Sequence, residues 1–411
     1  QMCIRDRKPI VRAGRMKPVH SDIRGPLFVE AMKRQKQGID ILKLNTGNPA
    51  TFGFGLPDSI KNALMEHMQD GVGYCDFKGM PQARQAICDY ETSKGIKGIT
   101  PDDVFIGNGV SEVVSFALTP LLNDGDEVLV PSPSYSLWGN SVYLEDGKPV
   151  FYTCDEQANW YPDIQDIRSK ITDKTKAIVI INPNNPTGVL YPKELLLEII
   201  QIARESGLLI FADEIYDRLV MDGKQHISLA SLTEDVPVIT LNGLSKSHCL
   251  CGYRCGWMVI SGPRELTEDY RQGIIQLTSL RLCANTMAQI VIPAALDDME
   301  TPASMVRPGG RIYEQREATV RELEKIDGLS FVKNDAAFYV FPKLDVKKFN
   351  ITNDKQFAHD LLDITNILLV PGSGFDWKDP DHFRIVMLPQ ADILSDAIRR
   401  MGTFLDGYKQ K

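Results

Sequence analysis

A chain of 411 residues is too long for one small core and has the length of a large domain joined to a smaller one. Apolar residues make up 43% of it and charged residues 24%, which are globular values and exclude a disordered or fibrous chain. The net charge of −8 comes without a dense stripe of Lys and Arg, and the longest apolar runs are only strand-length. Neither nucleic acid nor a membrane is therefore an expected partner.

The N-terminus and the cysteines bear on origin and location. Residues 1–7 (QMCIRDR) resemble the translation of a sequencing adapter and are set aside as a non-native scar, and no apolar signal core follows them. The eight scattered cysteines predict reduced thiols in a cytoplasmic protein. Cys249, Cys251 and Cys255 form one cluster. Their spacing, and the awkward place of the nearest fourth ligand, His248, argue against a metal site.

The middle of the chain alternates apolar strands with amphipathic helices. The predicted strands lie at residues 127–131, 148–153, 177–181, 208–212, 237–241 and 257–261. The predicted helices lie at residues 113–121, 136–144 and 191–205. Strands separated by helices of this length predict a largely parallel α/β sheet, which binds its ligands beyond the carboxyl ends of the strands.

The pattern changes beyond about residue 300. A long helix at 309–326, short strands at 330–332 and 338–341, and a last strand at 384–387 predict a small α+β domain over residues 301–411. We expect residues 8–50 to join this small domain and residues 51–300 to form the large domain. The dipeptides Thr301-Pro302 and Arg307-Pro308 predict that the linker lies within residues 301–308.

Lys246 is the first candidate for chemistry. It follows the strand at 237–241, in the sequence NGLSKS, and Arg254 comes eight positions later in GYRCGW. A lysine at a strand end is usually a solvated surface residue. Alternatively, its amine forms an imine with pyridoxal phosphate while Arg254 binds the phosphate group, because that cofactor requires both.

Two further motifs also follow strands. Asp213, in FADEIY, is either a helix N-cap or the partner of the pyridine nitrogen, whose protonation lets the ring accept electrons. Tyr216 would then donate a hydrogen bond to the phenolic oxygen of the cofactor. Asn185, in NPNNPTG, is either part of a tight turn or a second donor to that oxygen.

The remaining motifs are weaker when taken alone. Gly109, Val110 and Ser111, in GNGVSE, lead into a helix whose first backbone amides could bind phosphate. Glu112 stands where a dinucleotide fingerprint would need glycine, which argues against a nicotinamide enzyme. Tyr135 either stacks on the pyridine ring or simply packs in its loop.

In chain order these motifs resemble those of the fold-type I pyridoxal-phosphate enzymes, and specifically the class I aminotransferases, over residues 22–408. The resemblance implies an α/β fold with a mainly parallel seven-stranded sheet between helices, plus a small α+β domain. It also implies that Arg384 clamps the substrate α-carboxylate and that Ser245 helps to bind the phosphate. Tyr74 would reach the phosphate of a neighbouring subunit, which implies a homodimer with shared active sites.

Segments at 22–26, 44–50, 52–54, 281–285 and 309–316 further resemble the bacterial alanine (glutamate–pyruvate) aminotransferases. That likeness implies that L-alanine and 2-oxoglutarate give pyruvate and L-glutamate, by ping-pong kinetics through pyridoxamine phosphate. Gly47 would lie over the substrate α-carboxylate, which Asn185 also contacts. Arg24 is a candidate for a movable cation that pairs with the distal carboxylate of glutamate, and a structural salt bridge is the equal alternative.

The sequence departs from the pattern of these relatives at three places, and the departures concern substrate range and cofactor affinity. His20-Ser21 stands where relatives often carry an aromatic residue, Gly243 stands where many carry a hydroxyl, and residues 247–251 are unusual. Aminotransferases that prefer aromatic amino acids or aspartate, and a Cβ–S lyase, could use the same machinery. A regulator that binds the cofactor without catalysis would carry a helix-turn-helix extension, for which the residues before the first motif are too few.

Overall fold

A computed structural model describes residues 9–411 of the chain, so the scar predicted at residues 1–7 lies outside the described residues. The α-helices of the described part are α1 Pro26–Lys36, α2 Asp58–His67, α3 Pro81–Ser93, α4 Val110–Leu118, α5 Leu137–Leu144, α6 Ile164–Lys170, α7 Lys193–Ser206, α8 Leu244–Ser247, α9 Arg264–Arg281, α10 Thr286–Ile290, α11 Ile292–Asp297, α12 Glu300–Val306, α13 Arg311–Leu323, α14 Asp354–Thr365 and α15 Ala391–Asp406. The strands are β1 Leu42–Lys43, β2 Val104–Asn108, β3 Glu127–Ser132, β4 Lys148–Asp155, β5 Tyr161–Pro162, β6 Thr175–Ile181, β7 Leu209–Asp213, β8 Val238–Gly243, β9 Cys255–Ser261, β10 Leu329–Ser330, β11 Tyr339–Val340, β12 Lys343–Leu344, β13 Ile367–Leu368, β14 Val370–Pro371 and β15 Phe383–Val386.

The main sheet has the strand order β2-β9-β8-β7-β6-β3-β4-β5. Its central pairs are parallel, whereas β9 runs antiparallel to both β2 and β8. The mostly parallel α/β sheet is therefore confirmed. The expected seven strands are joined by an eighth, the two-residue strand β5, which pairs antiparallel at the edge.

Alternate residues of each central strand face opposite cores, because successive side chains point to opposite faces of a sheet. Leu129 and Ile178 belong to the core on one face, and their neighbours Val130 and Val179 belong to the core on the other. Residues of α7 complete the first core, and residues of α4 and α5 complete the second. Helices therefore cover both faces, so ligands can reach only the edges of the sheet.

A separate core holds the C-terminal residues. It runs from Leu323 to Leu405 and includes Leu44, because β1 pairs in parallel with β13. Most of the linker predicted at residues 301–308 is helix α12 instead. Pro302 fits in the first turn of that helix, where backbone N–H groups have no acceptor within the helix. The domain limit near residue 300 stays a prediction.

The prediction of individual elements was wrong mainly at their ends. The helix predicted to begin at 191 begins at Lys193, because Pro192 is extended and precedes its first turn. Strand β2 was not predicted. Among residues 9–411, no single helix has the length and apolar composition of a membrane span, and one bent helix pair reaches that criterion only when both members are combined.

Candidate active site

The predicted motifs meet at one edge of the main sheet, beyond the carboxyl ends of its parallel strands. Asp213 ends β7, Lys246 follows β8, and Asn185 follows β6. Arg254 immediately precedes β9, which runs in the opposite direction, so the beginning of that strand lies at the same edge. Gly109 follows β2 at the far side of β9.

Three glycines in one row across the sheet let backbone segments approach each other closely at this edge. Gly256 of β9 lies opposite Gly107 of β2 and Gly243 of β8. A Cβ atom on Gly256 would overlap the backbone of the turn at Gly109, and one on Gly243 would lie 2.6 Å from the Cys255 carbonyl oxygen. The absence of a hydroxyl side chain at 243 therefore has a steric cause.

Lys246 lies on the short helix α8 with a half-buried side chain. Its Nζ donates a hydrogen bond to the carbonyl oxygen of Gly47 at 3.0 Å and lies 5.8 Å from the centre of the Phe338 ring. No carboxylate of the described residues lies within 4.0 Å of this amine. The amine is thus held by a neutral carbonyl and remains accessible to a ligand.

Asp213 is a buried acid that has no basic partner among the residues that the structure describes. Its Oδ2 accepts a hydrogen bond from Trp138 Nε1 at 3.0 Å, and its Oδ1 accepts only a long one from the Ile215 amide at 3.4 Å. Burial raises the pKa of Asp213 to about 6, although the Trp138 hydrogen bond acts in the other direction. A positively charged N–H group of a ligand would stabilise this carboxylate.

Arg384 on β15 is a buried cation without an acidic partner among residues 9–411. Its Nη1 donates to Asn185 Oδ1 at 2.9 Å, its Nη2 donates to the carbonyl of Asn45, and its Nε has no partner in the described part of the chain. Burial lowers the pKa of Arg384. The guanidinium lies between the rings of Tyr339 and Phe375, 4.6 Å from each centre, so its position is fixed for an incoming anion.

Arg384 also sets the orientation of Asn185. Because Asn185 Oδ1 accepts from the guanidinium, the amide Nδ2 is left as a donor, and no acceptor for it lies within the described residues. Tyr216 and Tyr339 share a hydrogen bond between their hydroxyl groups at 2.9 Å. A Cβ atom on Gly47 would overlap the Tyr339 hydroxyl, so only glycine fits there.

A third set of groups can bind an anion. Gly109 has a φ of 85° and precedes α4, whose first residues are Val110 and Ser111. The first amides of a helix lack acceptors within the helix and carry a partial positive charge. A Cβ atom on Gly109 would overlap the guanidinium of Arg254, so this cation lies against the same turn. Arg254 has no carboxylate within 4.0 Å among residues 9–411.

The other predicted residues lie farther from these contacts. Tyr135 and Ser245 are half-buried near the sheet edge, and the carbonyl of Ser245 accepts a hydrogen bond from Cys251 Sγ at 2.9 Å. Tyr74 is 83% exposed on the loop before α3. Arg24 is exposed and has no hydrogen bond or ion pair to any described residue, so no salt bridge within residues 9–411 holds it.

Sequence reasoning missed several residues of the site, namely Asn45, Trp138, Phe338, Tyr339 and Phe375. Trp138 could have been found, because it lies three positions after Tyr135 at the start of a predicted helix. Asn45 lies in the segment 44–50 that resembles known aminotransferases, and Phe338 and Tyr339 lie in a predicted strand, but no pattern in the sequence assigns these three residues or Phe375 to the site.

A buried cluster of charged residues lies beside the loop that follows Asp213. Lys94 Nζ lies 2.7 Å from Glu91, 2.8 Å from Glu214 and 3.1 Å from Asp217. Asp217 also accepts from Asn242 Nδ2 at 2.7 Å, which joins the loop after Asp213 to the strand before Lys246. Lys94, the residue after α3, thus binds the loop that follows Asp213, and Asp217 of that loop in turn binds the strand that precedes Lys246.

Comparison with known proteins gives one consistent result. The model of the family described as aminotransferase class I and II matches residues 39–398. The glutamate-pyruvate aminotransferase AlaA of Haemophilus influenzae is 50% identical over 399 residues, which cover 97% of this chain and 99% of that protein. The crystal structure of an aminotransferase from Escherichia coli has a TM-score of 0.97 at 47% identity, covering 98% of this chain and 100% of the other. The solved structure of an alanine aminotransferase from Pyrococcus furiosus has a TM-score of 0.91 at 41% identity, covering 96% of this chain and 100% of the other.

Proposed function

The chain belongs to the class I and II aminotransferase family, and from that premise we propose that it exchanges an amino group between L-alanine and 2-oxoglutarate. The products are pyruvate and L-glutamate. The observation that carries the substrate class is Arg384, a fully buried guanidinium with two neutral hydrogen-bond acceptors and no acid beside it among the described residues. An unpaired buried charge is costly, and the α-carboxylate of an amino or keto acid compensates it.

We propose pyridoxal phosphate as the cofactor, because the unpaired charges of the site match its charges one by one. Asp213 suits the protonated pyridine nitrogen, and Arg254 with the first amides of α4 suits the phosphate dianion. The free Nδ2 of Asn185 and the Tyr216 hydroxyl suit the phenolic oxygen. Ser245 lies on the same short helix, α8, as Lys246 and is a further phosphate ligand, and Tyr135 is the residue proposed to stack on the ring.

Each residue has a definite task in the reaction. When bound, pyridoxal phosphate supplies an aldehyde that takes up the amino group and a ring that accepts electron density from the substrate Cα. Arg384 binds the α-carboxylate and fixes the direction of the Cα–H bond. Lys246 Nζ takes the proton from Cα as a general base and, as a general acid, would deliver it to the former aldehyde carbon of the bound cofactor. The two half-reactions follow each other on one site, so the kinetics are ping-pong.

The substrate pair is supported by the relatives named for glutamate–pyruvate and alanine transamination and by the position of Arg24. The carbonyl of Ile23, the residue before it, accepts from Asn45 Nδ2 at 2.7 Å, and the carbonyl of Asn45 accepts from Arg384. Arg24 therefore follows directly a residue that is bonded to the carboxylate site. Its own guanidinium has no hydrogen-bond or ion-pair partner among the described residues. We propose that it turns toward the distal carboxylate of glutamate and away when alanine is bound.

We also propose a homodimer that shares its active sites. Tyr74 is 83% exposed, and Val72 and Leu280 beside it are 76% and 83% exposed. Arg281 Nη2 donates to the Phe77 carbonyl at 3.1 Å, so the segment that carries Leu280 lies against the segment that carries Val72 and Tyr74. A second copy of the chain would cover this surface and bring Tyr74 to the phosphate of its partner. The cytoplasmic location stays a prediction.

A donor panel tests the proposal. The holoenzyme is mixed with L-alanine, L-glutamate, L-aspartate, L-tyrosine or L-cysteine, and the absorbance of the cofactor is followed. We expect the largest kcat/KM with alanine and glutamate. Alanine alone should release at most about one equivalent of pyruvate per site, and continued pyruvate formation should require 2-oxoglutarate as acceptor. A preference for aspartate or tyrosine would show instead that the enzyme is an aspartate or an aromatic aminotransferase. Pyruvate and sulfide from cysteine without a keto-acid acceptor would identify a Cβ–S lyase.

A further inference from the structure

His20 lies at the junction of three parts of the molecule. It belongs to residues 17–25, called here the N-terminal arm, which carries Arg24 and contains no regular helix or strand. Its backbone N–H donates to Asn140 Oδ1 at 3.1 Å, and its carbonyl accepts from Asn140 Nδ2 at 2.6 Å, which fastens the arm to α5. Its ring nitrogen Nε2 lies 2.9 Å from Asp376 Oδ1, in the turn after β14.

Both ring nitrogens of His20 face carboxylates. Nδ1 lies 3.6 Å from Asp22 Oδ2, on the opposite side of the ring from Asp376. A neutral imidazole has one N–H group only, so its other nitrogen would present a lone pair to a negative charge. The geometry therefore fits the doubly protonated imidazolium, and hydrogen bonding of its N–H groups to Asp22 and Asp376 raises the pKa of His20 to about 9.

The residues bonded to His20 are neighbours, in the chain or on the same helix, of residues that contact the substrate site. Phe375 precedes Asp376, and its ring packs on the Arg384 guanidinium. Trp138, which binds Asp213, lies on the same helix as Asn140. Two residues beyond Asp22, the arm carries Arg24, the candidate for the distal carboxylate.

We infer that the charged His20 is a positioning residue that holds the N-terminal arm against α5 and the turn at Asp376, and thereby fixes the reach of Arg24 toward dicarboxylate substrates. The role in specificity rests on the substrate pair proposed above, whereas the contacts of His20 with the arm do not. Loss of the charge at His20 leaves Asp376 without its cation, and the arm then loosens at the end that carries Arg24.

The charges around His20 set the expected pH dependence. Asp22 comes from the arm, Asp376 from the turn after β14, and Lys355, 3.2 Å from Asp22 Oδ1, from α14. Tyr143 of α5 also faces Asp376, and burial together with the negative charge of Asp376 raises the pKa of that tyrosine. Since the pKa of His20 is raised in the closed arm, the stabilisation is complete below the usual histidine value of 6.5 and disappears as the pH rises to about 9.

The first test measures the arm itself. Hydrogen–deuterium exchange of the holoenzyme is compared for the wild type, His20→Gln and the control His359→Gln. His359 also lies between two carboxylates, at 3.6 Å from Glu30 and 3.3 Å from Asp363, with a similar exposure. We expect exchange in residues 17–25 to rise about fivefold in His20→Gln alone. An unchanged arm, or an equal rise in both variants, overturns the inference.

The second test measures specificity through the ratio of kcat/KM for 2-oxoglutarate to that for pyruvate, because neither keto acid carries a titrating amine. We expect this ratio to fall about fivefold in His20→Gln and in Asp376→Asn, with no further loss in the double variant. In the wild type the ratio falls between pH 7 and pH 9, and in His20→Gln it is flat. A looser arm with an unchanged ratio would make His20 merely structural and would refute the specificity role. A wild type that uses neither keto acid would instead contradict the proposed function.

Discussion

Replacing Asp213 with asparagine removes a negative charge that the cofactor-free protein buries without a cation. The pKa of this carboxyl is raised from 3.8 to about 6 by burial. That difference corresponds to about 3 kcal/mol, because each tenfold change in the proton-binding constant is worth about 1.4 kcal/mol. An acid whose pKa is raised by folding destabilises the folded state when it is ionised. The penalty is therefore absent below pH 3.8 and complete above about pH 6.

Denaturant unfolding of the cofactor-free protein at one protein concentration measures this penalty. We expect Asp213→Asn to raise the free energy of unfolding by about 3 kcal/mol at pH 8 and by about half as much at pH 5. The control Asp103→Asn changes a buried acid that does have a partner, Arg271 at 2.6 Å, and should destabilise the protein at pH 8.

Cofactor binding should change in the opposite direction. Asparagine cannot pair with a protonated pyridine nitrogen, so the dissociation constant of pyridoxal phosphate should rise at least about 100-fold in Asp213→Asn. Equilibrium dialysis or a spectral titration measures it. Lower stability of the cofactor-free variant at pH 8, or a gain that does not depend on pH, would show that Asp213 is not an unpaired buried charge.

Three other substitutions test the remaining roles. Lys246→Ala should lower transamination at least about 1000-fold while circular dichroism stays that of the wild type, and retained turnover would contradict the assignment of the amine. Arg384→Lys should raise KM for both alanine and glutamate by about 100-fold, since an ammonium cannot replace the two-pronged guanidinium; an effect on glutamate alone would place Arg384 at the distal carboxylate. Arg24→Ala should lower kcat/KM for glutamate at least about tenfold and that for alanine less than about twofold. Arg15→Ala, which removes another exposed arginine near the N-terminus, is its control, and equal losses for both substrates would rule out the switch.

The cofactor side of the site was largely predictable from sequence, because its groups follow strands that are themselves strongly patterned. Asp213, Asn185 and the loop of Lys246 each come directly after an apolar run that forms a central strand. Once those runs are identified as parallel neighbours, their ends must meet at one edge of the sheet. The antiparallel direction of β9 could not be predicted, since a buried strand has the same apolar pattern in either direction.

The substrate side was harder to predict for a physical reason. Tyr339 and Phe375 lie in a two-residue strand and a short turn, where no periodic pattern identifies their partners. Gly243 was noted only as a missing hydroxyl, because its close contact with Cys255 exists only after β8 and β9 have paired. His20 likewise appeared as a departure from an aromatic residue, and its two carboxylate partners became visible only in the folded chain.

The reversal of β9 also has a consequence for the order in which the pocket can form during folding. Lys246 and Arg254 are joined by one short loop, so little chain entropy is lost when they come together. By contrast, the bonds from Lys246 to Gly47 and from Arg384 to Asn185 each span 199 residues, and that from Arg384 to Asn45 spans 339. Contacts between residues so far apart in the sequence are expected to form late in folding, because closing such long loops costs chain entropy. We therefore expect the phosphate end of the pocket to assemble with the sheet and the carboxylate end only after the C-terminal core has docked. Damage to that core would then abolish substrate binding before cofactor binding.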